Sequence, residues 1–250
     1  MENEMFSIII PVFNEANSIQ NLLKHLINSV SGEIEVEIIL VDGGSNDKTP
    51  QTIEEFISQF ANNKNTSYIH LLHSEKGRAK QMNYGAKMAE SNLLYFLHAD
   101  SFPPSNFDKH ILNEIKNGNP SGCFRMQFDS KHWWLQLAGW LTQFNWKISR
   151  GGDQSLFITK TLFEEIGGFD ENYIIYEDNI LINELYRRNK FVVIQRSIIT
   201  SARRYREHGV WVLQYHFWMI HLKKWLGADA EELYEYYSKH IGAKNPRFQS

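Results

Sequence analysis

Three short apolar runs occur in the first 100 residues, and each of them leads into a carboxylate. Residues 6–13 lead into Asn14 and Glu15, residues 36–41 lead into Asp42, and residues 93–97 lead into His98, Ala99 and Asp100. Short continuous apolar runs bounded by turn residues are typical of strands buried on both faces, as in a parallel sheet. Because ligands bind beyond the carboxyl ends of such strands, we expect Glu15, Asp42 and Asp100 to converge on one crevice.

Three carboxylates around one crevice repel one another, and each is costly to remove from water without a compensating partner. A cation or a hydrogen-bonding ligand among them would offset this cost. A nucleotide that carries a divalent metal ion supplies both, so the pattern indicates a nucleotide site.

Composition and charge narrow the class of partner. The 250 residues have a formal net charge of -3, which offers no basic face for nucleic acid. Cys123 is the only cysteine, so no disulfide can form within the chain. The acidic N-terminus does not resemble a secretory signal, and no apolar run approaches the ~18 residues of a membrane span. We therefore expect a cytoplasmic protein, with association at a membrane surface as the alternative.

Strands and amphipathic helices alternate along the first half of the chain. The predicted strands are residues 6–12, 35–41, 67–73 and 93–97, and the predicted helices are residues 17–30, a helix that begins at Pro50, and residues 78–90. This order predicts an α/β fold with a doubly wound, mostly parallel sheet and right-handed crossovers.

The second half is richer in aromatic residues and ends in helices. The predicted elements are a helix after Pro104, strands 121–128, 155–158 and 191–195, and helices 132–148, 161–166, 177–189, 203–226 and 229–241. No Pro/Gly/Ser-rich linker interrupts the chain, so we expect one domain over residues 1–250. Within it we distinguish a nucleotide-binding half over residues 1–101, a second part over residues 102–202, and a C-terminal helical segment over residues 203–250.

Six segments in this order resemble glycosyltransferase family 2, which has the A-type nucleotide-sugar-binding fold. They are residues 7–23, 37–49, 77–86, 93–101, 151–169 and 176–190. The combination of GRAKQMNYGA, LHADS, GDQ and SARRY is similar to a bacterial branch of the family that is linked to arsenosugar biosynthesis. The resemblance implies an inverting enzyme that moves a sugar from a nucleotide-diphosphate donor to an acceptor hydroxyl, while the acceptor stays unknown.

The resemblance also implies which residues contact the donor. The nucleoside would lie against Pro11, Asn14, Glu15, Asp42 and Gly43. A turn-forming role for Asp42 is the alternative, because strand-Asp-Gly turns are common.

Basic residues are predicted to contact the diphosphate. Arg78 opens a helix, and a helix N-terminus with a guanidinium binds anions. Arg203 and Arg204 would support the departing diphosphate, since arginine matches phosphate oxygens bidentately. For all three, a solvated charge at a helix start is the alternative.

The segment His98-Ala99-Asp100 occupies the position of the family's acidic Asp-x-Asp motif. Asp100 is the expected ligand of a divalent cation, Mg or Mn, because hard cations prefer carboxylate oxygen. His98 departs from the motif, and we expect it either beside the metal or bonded to ribose or phosphate. A histidine that is satisfied by neighbouring groups at the strand end is the alternative.

Glu177 and Asp178 open a predicted helix, where carboxylates are favourable for dipole reasons alone. In the resembled family the second acid of this pair is the general base that deprotonates the acceptor, which assigns that role to Asp178. Glu177 would assist it or make a structural contact. Asp153 is a competing acid that would line the donor-sugar or acceptor pocket.

Tryptophan is concentrated in residues 132–146 and 211–226, at helical spacing. Core packing or a homodimer contact is one interpretation. The other is a peripheral membrane surface, because Trp rings and the adjacent Lys223 and Lys224 suit the headgroup region.

Two other functions compete with sugar transfer. A nucleotidyltransferase would need a basic residue in the first strand–helix loop, and residues 12–17 contain no Lys or Arg. A catalytically silent nucleotide-sugar-binding or membrane-docking module is supported only by His98 in place of an acid. The intact Glu177-Asp178 pair argues against it.

Overall fold

The computed structural model describes residues 5–60 and 68–242. Within them, eight strands form one sheet. The strands are β1 (Met5–Val12), β2 (Glu35–Asp42), β3 (Ile69–His73), β4 (Leu93–Phe96), β5 (Ser101–Phe102), β6 (Ser121–Phe128), β7 (Leu156–Thr159) and β8 (Val192–Thr200). The short strand β5 was not predicted. Residue 67 of the predicted strand 67–73 lies outside the described residues, and β3 begins at Ile69.

Helices cover both faces of this sheet and form the C-terminal segment. They are α1 (Ile19–Ser29), α2 (Thr49–Phe60), α3 (Arg78–Met88), α4 (Phe107–Lys116), α5 (Trp133–Leu141), α6 (Lys160–Ile166), α7 (Glu177–Arg187), α8 (Arg203–His208), α9 (Val210–Trp225) and α10 (Ala230–His240). Of the helices in the described ranges, none has both the length and the apolar character that crossing a bilayer would require.

The sheet is mixed, and its parallel part carries the predicted topology. The strand order is β3-β2-β1-β4-β7-β6-β8-β5. Strands β1 to β4 pair in parallel, β6 and β8 are parallel, and β7 runs antiparallel to both of its neighbours. The predicted α/β fold with a mostly parallel sheet is therefore confirmed.

Alternation along β1 divides the core between the two faces of the sheet. Ile8 and Ile10 belong to one buried cluster, together with Leu22 of α1, whereas Ile9 belongs to a second cluster with Met82 of α3. Successive side chains of a strand point to opposite faces, so the consecutive apolar residues 8–10 must be covered on both faces of the sheet. This is why the middle of the first apolar run does not alternate between apolar and polar residues.

The predicted helix over residues 132–148 is wrong in its second half, because α5 ends at Leu141. The buried guanidinium of Arg150 donates from Nη2 to the carbonyl oxygens of Thr142 (2.6 Å) and Phe144 (2.5 Å). These bonds hold the chain after α5 in a turn, and a 3-10 turn at Lys147–Ser149 follows.

Two further boundaries differ from the sequence predictions. Strand β8 does not end at Gln195 but continues to Thr200, because a register shift between Phe124 and Arg125 of β6 accommodates its polar middle. The predicted helix over residues 203–226 is two helices. Gly209, at φ 84°, separates α8 from α9 and adopts a backbone conformation that glycine tolerates without strain.

Candidate active site

The carboxyl ends of β1, β2 and β4 lie at one edge of the sheet, because these three strands are parallel. The register pairs Pro11 with Val41 and Val12 with Asp42. Asn14 and Glu15 follow β1, and Asp100 follows β4. The three carboxylates that the sequence placed together therefore follow strands that end at the same edge.

Two loops at this edge are joined by hydrogen bonds. Asn14 has φ 56°; its N–H donates to Oγ of Ser45 (2.9 Å), and its Oδ1 accepts from the N–H of Asn46 (2.9 Å). The N–H of Glu15 donates to Oγ1 of Thr49 (2.7 Å). The loop after β1 is thus held against the loop after β2, and Glu15 is buried between them.

Asp42 is buried at the end of β2 and accepts several hydrogen bonds from its own turn. Its Oδ2 accepts from the N–H groups of Gly44 (3.0 Å) and Ser45 (3.0 Å), and its Oδ1 accepts from Oγ of Ser45 (2.5 Å). These bonds are those of a turn-forming aspartate. The predicted contact of Asp42 and Gly43 with a nucleoside stays a prediction.

Gln81 is a buried residue of this edge that sequence reasoning missed. Its side-chain Nε2 donates to the carbonyl oxygens of Val12 (2.9 Å) and Val41 (2.7 Å) and so joins the ends of β1 and β2. A Cβ on Gly43 would lie 2.9 Å from the Gln81 amide. The signal available in the sequence was a polar residue between Ala79 and Met82, on the buried side of a helix.

His98 lies between two carboxylates that come from distant parts of the chain. Its Nδ1 is 3.4 Å from Oδ1 of Asp153, and its Nε2 is 3.6 Å from Oδ2 of Asp178. Burial opposes a charge on His98, but the two carboxylates outweigh it and raise the imidazole pKa to about 10. His98 is therefore a cation at neutral pH, although the sequence position suggested an acid.

Asp178 is the more buried of the two carboxylates that contact His98. Burial alone would raise its pKa, but His98 and Arg78 hold the pKa below its ordinary value. The same two cations, with Arg204, also keep the pKa of Asp153 low against the effect of burial. Both carboxylates are thus ionised at neutral pH.

Gly152 brings the backbone close to this cluster. A Cβ at position 152 would lie 2.0 Å from Oδ2 of Asp178 and 2.7 Å from Cε1 of His98. No side chain fits in this space. The neighbouring Gly151 has no atom within 4 Å of its Cβ position, so only the second glycine of the pair is required by close approach.

Arg78 and Glu177 form a second charged pair beside the first. Nε of Arg78 is 2.6 Å from Oε1 of Glu177, and Glu177 is completely buried. Burial raises the pKa of Glu177 to about 7 despite the opposing effect of Arg78. The sequence assigned Arg78 to a diphosphate and did not anticipate this pairing, which joins the first turn of α3 to the first turn of α7.

The arginines of residues 203–206 point to three different places. Nη2 of Arg203 is 4.0 Å from Oδ2 of Asp100. Nη2 of Arg204 donates to the hydroxyl of Tyr237 (2.6 Å), and Arg206 pairs with Asp129. Of the two arginines predicted at the diphosphate, Arg203 therefore lies next to the predicted metal ligand, whereas Arg204 packs against α10.

The electrostatic environment of the Asp100 carboxylate favours a bound divalent cation. Burial and the negative charges of Asp153 and Glu15 raise the pKa of Asp100, so a cation would relieve unfavourable charge there. In the part of the chain that the structure describes, no three His, Cys, Asp or Glu side chains are grouped so that they could hold a metal ion by themselves. A cation at Asp100 would therefore take most of its ligands from the substrate, as Mg²⁺ does when it is held by one or two carboxylates and substrate phosphates.

The fold is an α/β sheet with acids beyond its carboxyl edge, as the sequence predicted for a nucleotide site, and sequence comparison identifies the family. The profile of glycosyl transferase family 2 matches residues 7–169. The chain belongs to this family, as predicted. The narrower arsenosugar-linked branch is not among these findings.

Several proteins named as glycosyltransferases are similar in sequence to this chain. The chain is 23% identical to the probable glycosyltransferase YdaM of Bacillus subtilis, over 85% of this chain and 54% of that protein. It is 30% identical to the poly(ribitol-phosphate) β-N-acetylglucosaminyltransferase TarS of Staphylococcus aureus, over 39% of this chain and 16% of that protein. The matched region thus spans about half or less of the length of these relatives.

Solved structures show the same fold. Staphylococcus aureus TarS 1–349 in complex with UDP-GlcNAc aligns with a TM-score of 0.65 and 21% identity, over 80% of this chain and 59% of that chain. The mannosyltransferase PcManGT of Pyrobaculum calidifontis, in complex with GDP-Man and Mn²⁺, aligns with a TM-score of 0.65 and 17% identity, over 98% and 72%.

Proposed function

We propose that this protein is an inverting glycosyltransferase that moves a sugar from a nucleotide-diphosphate donor to an acceptor hydroxyl. The observation that carries the proposal is the buried, ionised carboxylate of Asp178, which is held beside His98 at the carboxyl edge of the sheet. Family membership supports the reaction class, and the geometry supports the roles of the residues.

The donor nucleoside would lie over the joined loops after β1 and β2. Asn14, Glu15, Asp42 and Gly43 border this position, with Pro11 beneath it in β1. The solved relatives named above bind UDP-GlcNAc or GDP-Man, which supports a nucleoside-diphosphate sugar here. In this proposal residues 1–101 bind the nucleotide, residues 102–202 complete the acceptor side, and residues 203–250 form a helical segment.

The diphosphate would lie between Asp100 and Arg203. A divalent cation, Mg or Mn, held by Asp100 would neutralise part of the charge on the diphosphate as the sugar leaves. Arg203 would donate hydrogen bonds to the same oxygens. The Mn²⁺ in the PcManGT complex supports a cation at this position.

Asp178 would act as the general base. Its carboxylate accepts the proton of the acceptor hydroxyl while the acceptor oxygen forms a bond to the anomeric carbon. The bond from that carbon to the diphosphate oxygen breaks on the opposite side, and the nucleoside diphosphate leaves with its electron pair. Because the low pKa makes Asp178 a weak base, proton transfer becomes favourable only as the new C–O bond forms.

Asp153, Glu177 and Arg78 would support this arrangement. Asp153 lies on the other side of His98 and borders the space for the donor sugar or acceptor. Glu177 and Arg78 fix the start of α7, which carries Asp178. Arg78 thus acts on the site through Glu177, and its charge also reaches Asp178.

Thermal-shift measurements with UDP, GDP, dTDP, CDP and ADP, each with and without Mn²⁺, test the nucleotide site. We expect one nucleotide to raise the melting temperature and Mn²⁺ to increase that shift. The Mn²⁺ effect should disappear in Asp100→Asn and persist in Glu164→Gln, which changes an exposed carboxylate of α6. A shift in melting temperature that is equal with and without Mn²⁺ would contradict the proposed metal ion.

Transfer of the sugar tests the role of Asp178. With the nucleotide sugar found by binding, Asp178→Asn should bind the donor normally and lose turnover by about 10²–10⁴-fold. Retained turnover in this variant would exclude Asp178 as the base. Binding without turnover in the unsubstituted protein, across acceptor classes, would favour the silent module instead.

A further inference from the structure

Helix α9 is apolar on two opposite sides. Leu213 and Ile220 are buried against α10, where they pack with Leu233 and Tyr237. The opposite side carries five large apolar or aromatic side chains that are exposed to solvent. They are Trp211, Tyr215, Trp218, Leu222 and Trp225.

The exposed side chains of α9 form one stripe. They are spaced by four, three, four and three residues, which places them on one side of a helix. At a rise of 1.5 Å per residue the stripe is about 21 Å long. Trp225 at its end is 81% exposed. Such a stripe on a soluble protein marks a surface that contacts something else.

Helix α5 extends this stripe. Trp133, Leu137 and Trp140 are exposed on α5 at the same spacing of four and three. The ring centroids of Trp133 and Trp211 are 5.7 Å apart, which joins the two helices. Between them, Trp134 packs against Trp211 and Trp218 at 5.4 Å and 5.9 Å. We call the eight exposed residues of α5 and α9 the aromatic surface.

The two segments that carry the aromatic surface contain basic residues and no acidic ones. Residues 131–152 and 209–228, which contain α5 and α9, include no Asp or Glu. They include Lys131, Lys147, Lys223 and Lys224, in a chain whose net charge is -3. Among the residues that the structure describes, none of these four lysines forms an ion pair with a carboxylate. A partner of opposite charge would therefore be favoured.

We propose that the aromatic surface docks this protein onto an anionic lipid bilayer. Trp and Tyr rings prefer the membrane–water interface, and lysines beside them attract anionic headgroups. A second copy of the chain is a less suitable occupant, because pairing two such surfaces would bring their lysines together. The inference is independent of sugar transfer.

The aromatic surface is fixed to the candidate site rather than to a free segment. The hydroxyl of Tyr176 lies 3.0 Å from Nδ1 of His221, and Nζ of Lys224 donates to the hydroxyl of Tyr173 (2.6 Å). Tyr176 immediately precedes Glu177 and Asp178. Docking through α9 would therefore hold the candidate site at a defined position relative to the bilayer.

Co-sedimentation of the full chain with vesicles tests this proposal. We expect binding to vesicles of phosphatidylcholine mixed with phosphatidylglycerol, and much weaker binding to phosphatidylcholine alone. The double variant Leu222→Gln with Trp225→Gln should reduce the partition coefficient about tenfold or more. The control, Tyr84→Gln with Met88→Gln, replaces two exposed apolar residues of α3, outside the aromatic surface, and should bind like the unsubstituted protein.

A charge variant tests the electrostatic part separately. Lys131→Gln with Lys147→Gln should weaken binding to the anionic vesicles about fivefold per lysine and leave the weak neutral binding unchanged. Both lysines are exposed, so this variant does not disturb the core. Binding that is equal for both vesicle types, or equal in the stripe and control variants, would overturn the proposal. So would a concentration-dependent dimer that the stripe variant abolishes while no vesicle binding is seen.

Discussion

The imidazole Nε2 of His98 lies 3.6 Å from Oδ2 of Asp178, although 80 residues separate them in the chain. The position that would hold the first acid of an Asp-x-Asp motif therefore carries a cation that contacts the proposed base. An aspartate at position 98 would repel the Asp178 carboxylate, whereas the histidine cation attracts it. It explains why Asp178 stays ionised in a buried position next to Asp153.

Replacing His98 by Gln should raise the pKa of Asp178, because the nearest positive charge is removed. If Asp178 must be ionised for turnover, the acidic limb of the kcat profile should move to higher pH. Turnover measured across pH checks this. His70→Gln, an exposed histidine of β3, is the control, and an unmoved limb in His98→Gln would contradict the coupling.

Gly152→Ala should disable the site without unfolding the protein. The new Cβ would lie 2.0 Å from Oδ2 of Asp178 and displace that carboxylate. A displacement of about 1 Å can cost about 10²-fold in rate, so we expect a loss of that size with nucleotide binding retained. Gly151→Ala is the matched control, because its Cβ would meet no atom within 4 Å. Equal activity of the two variants would refute this account.

Glu177 should make the stability of the protein depend on pH. Its folded-state pKa is raised from 4.5 to about 7. Between these values the folded protein holds a proton that the unfolded chain releases, so the free energy of unfolding should fall as pH rises. One such proton contributes at most about 1.4 kcal/mol per pH unit.

Urea denaturation across this pH range checks the prediction for Glu177. In Glu177→Gln the fall should become shallower by about 1 kcal/mol per pH unit. Glu164→Gln, on the exposed side of α6, should keep the slope of the unsubstituted protein. The same slope in Glu177→Gln would show that Glu177 is not the group responsible.

Gln81→Ala should destabilise the carboxyl edge. The substitution leaves the carbonyl oxygens of Val12 and Val41 without their amide partner, and Gln81 is buried. Losing a hydrogen bond to a buried group costs about 1–3 kcal/mol, so we expect a decrease of that order in the free energy of unfolding. Gln51→Ala, on the exposed side of α2, should change stability by less than about 0.5 kcal/mol.

Local patterns in the sequence were sufficient for the elements of the nucleotide-binding half. Continuous apolar runs predicted the parallel strands, and apolar spacing predicted α1, α2 and α3. Two boundary predictions failed where residues outside the element decided where it ends. Arg150 bonds the chain after α5, and the shift in β6 lets β8 continue beyond Gln195. No periodicity within α5 or β8 carries this information.

The sequence by itself determined the parallel strands of the first half, their carboxyl edge and the acids that follow them, because each of these depends on short-range apolar patterning and on the position of a turn. Only the tertiary structure decided how the charged residues pair. Arg78 pairs with Glu177, which lies 99 positions later in the chain, and His98 contacts Asp178, which lies 80 positions later. The neighbours Arg203 and Arg204 contact different groups, Asp100 and Tyr237. The physical reason is that a charge pairs with whichever opposite or polar group lies nearest in space. That distance is set by the packing of helices on the sheet and not by the order of residues along the chain.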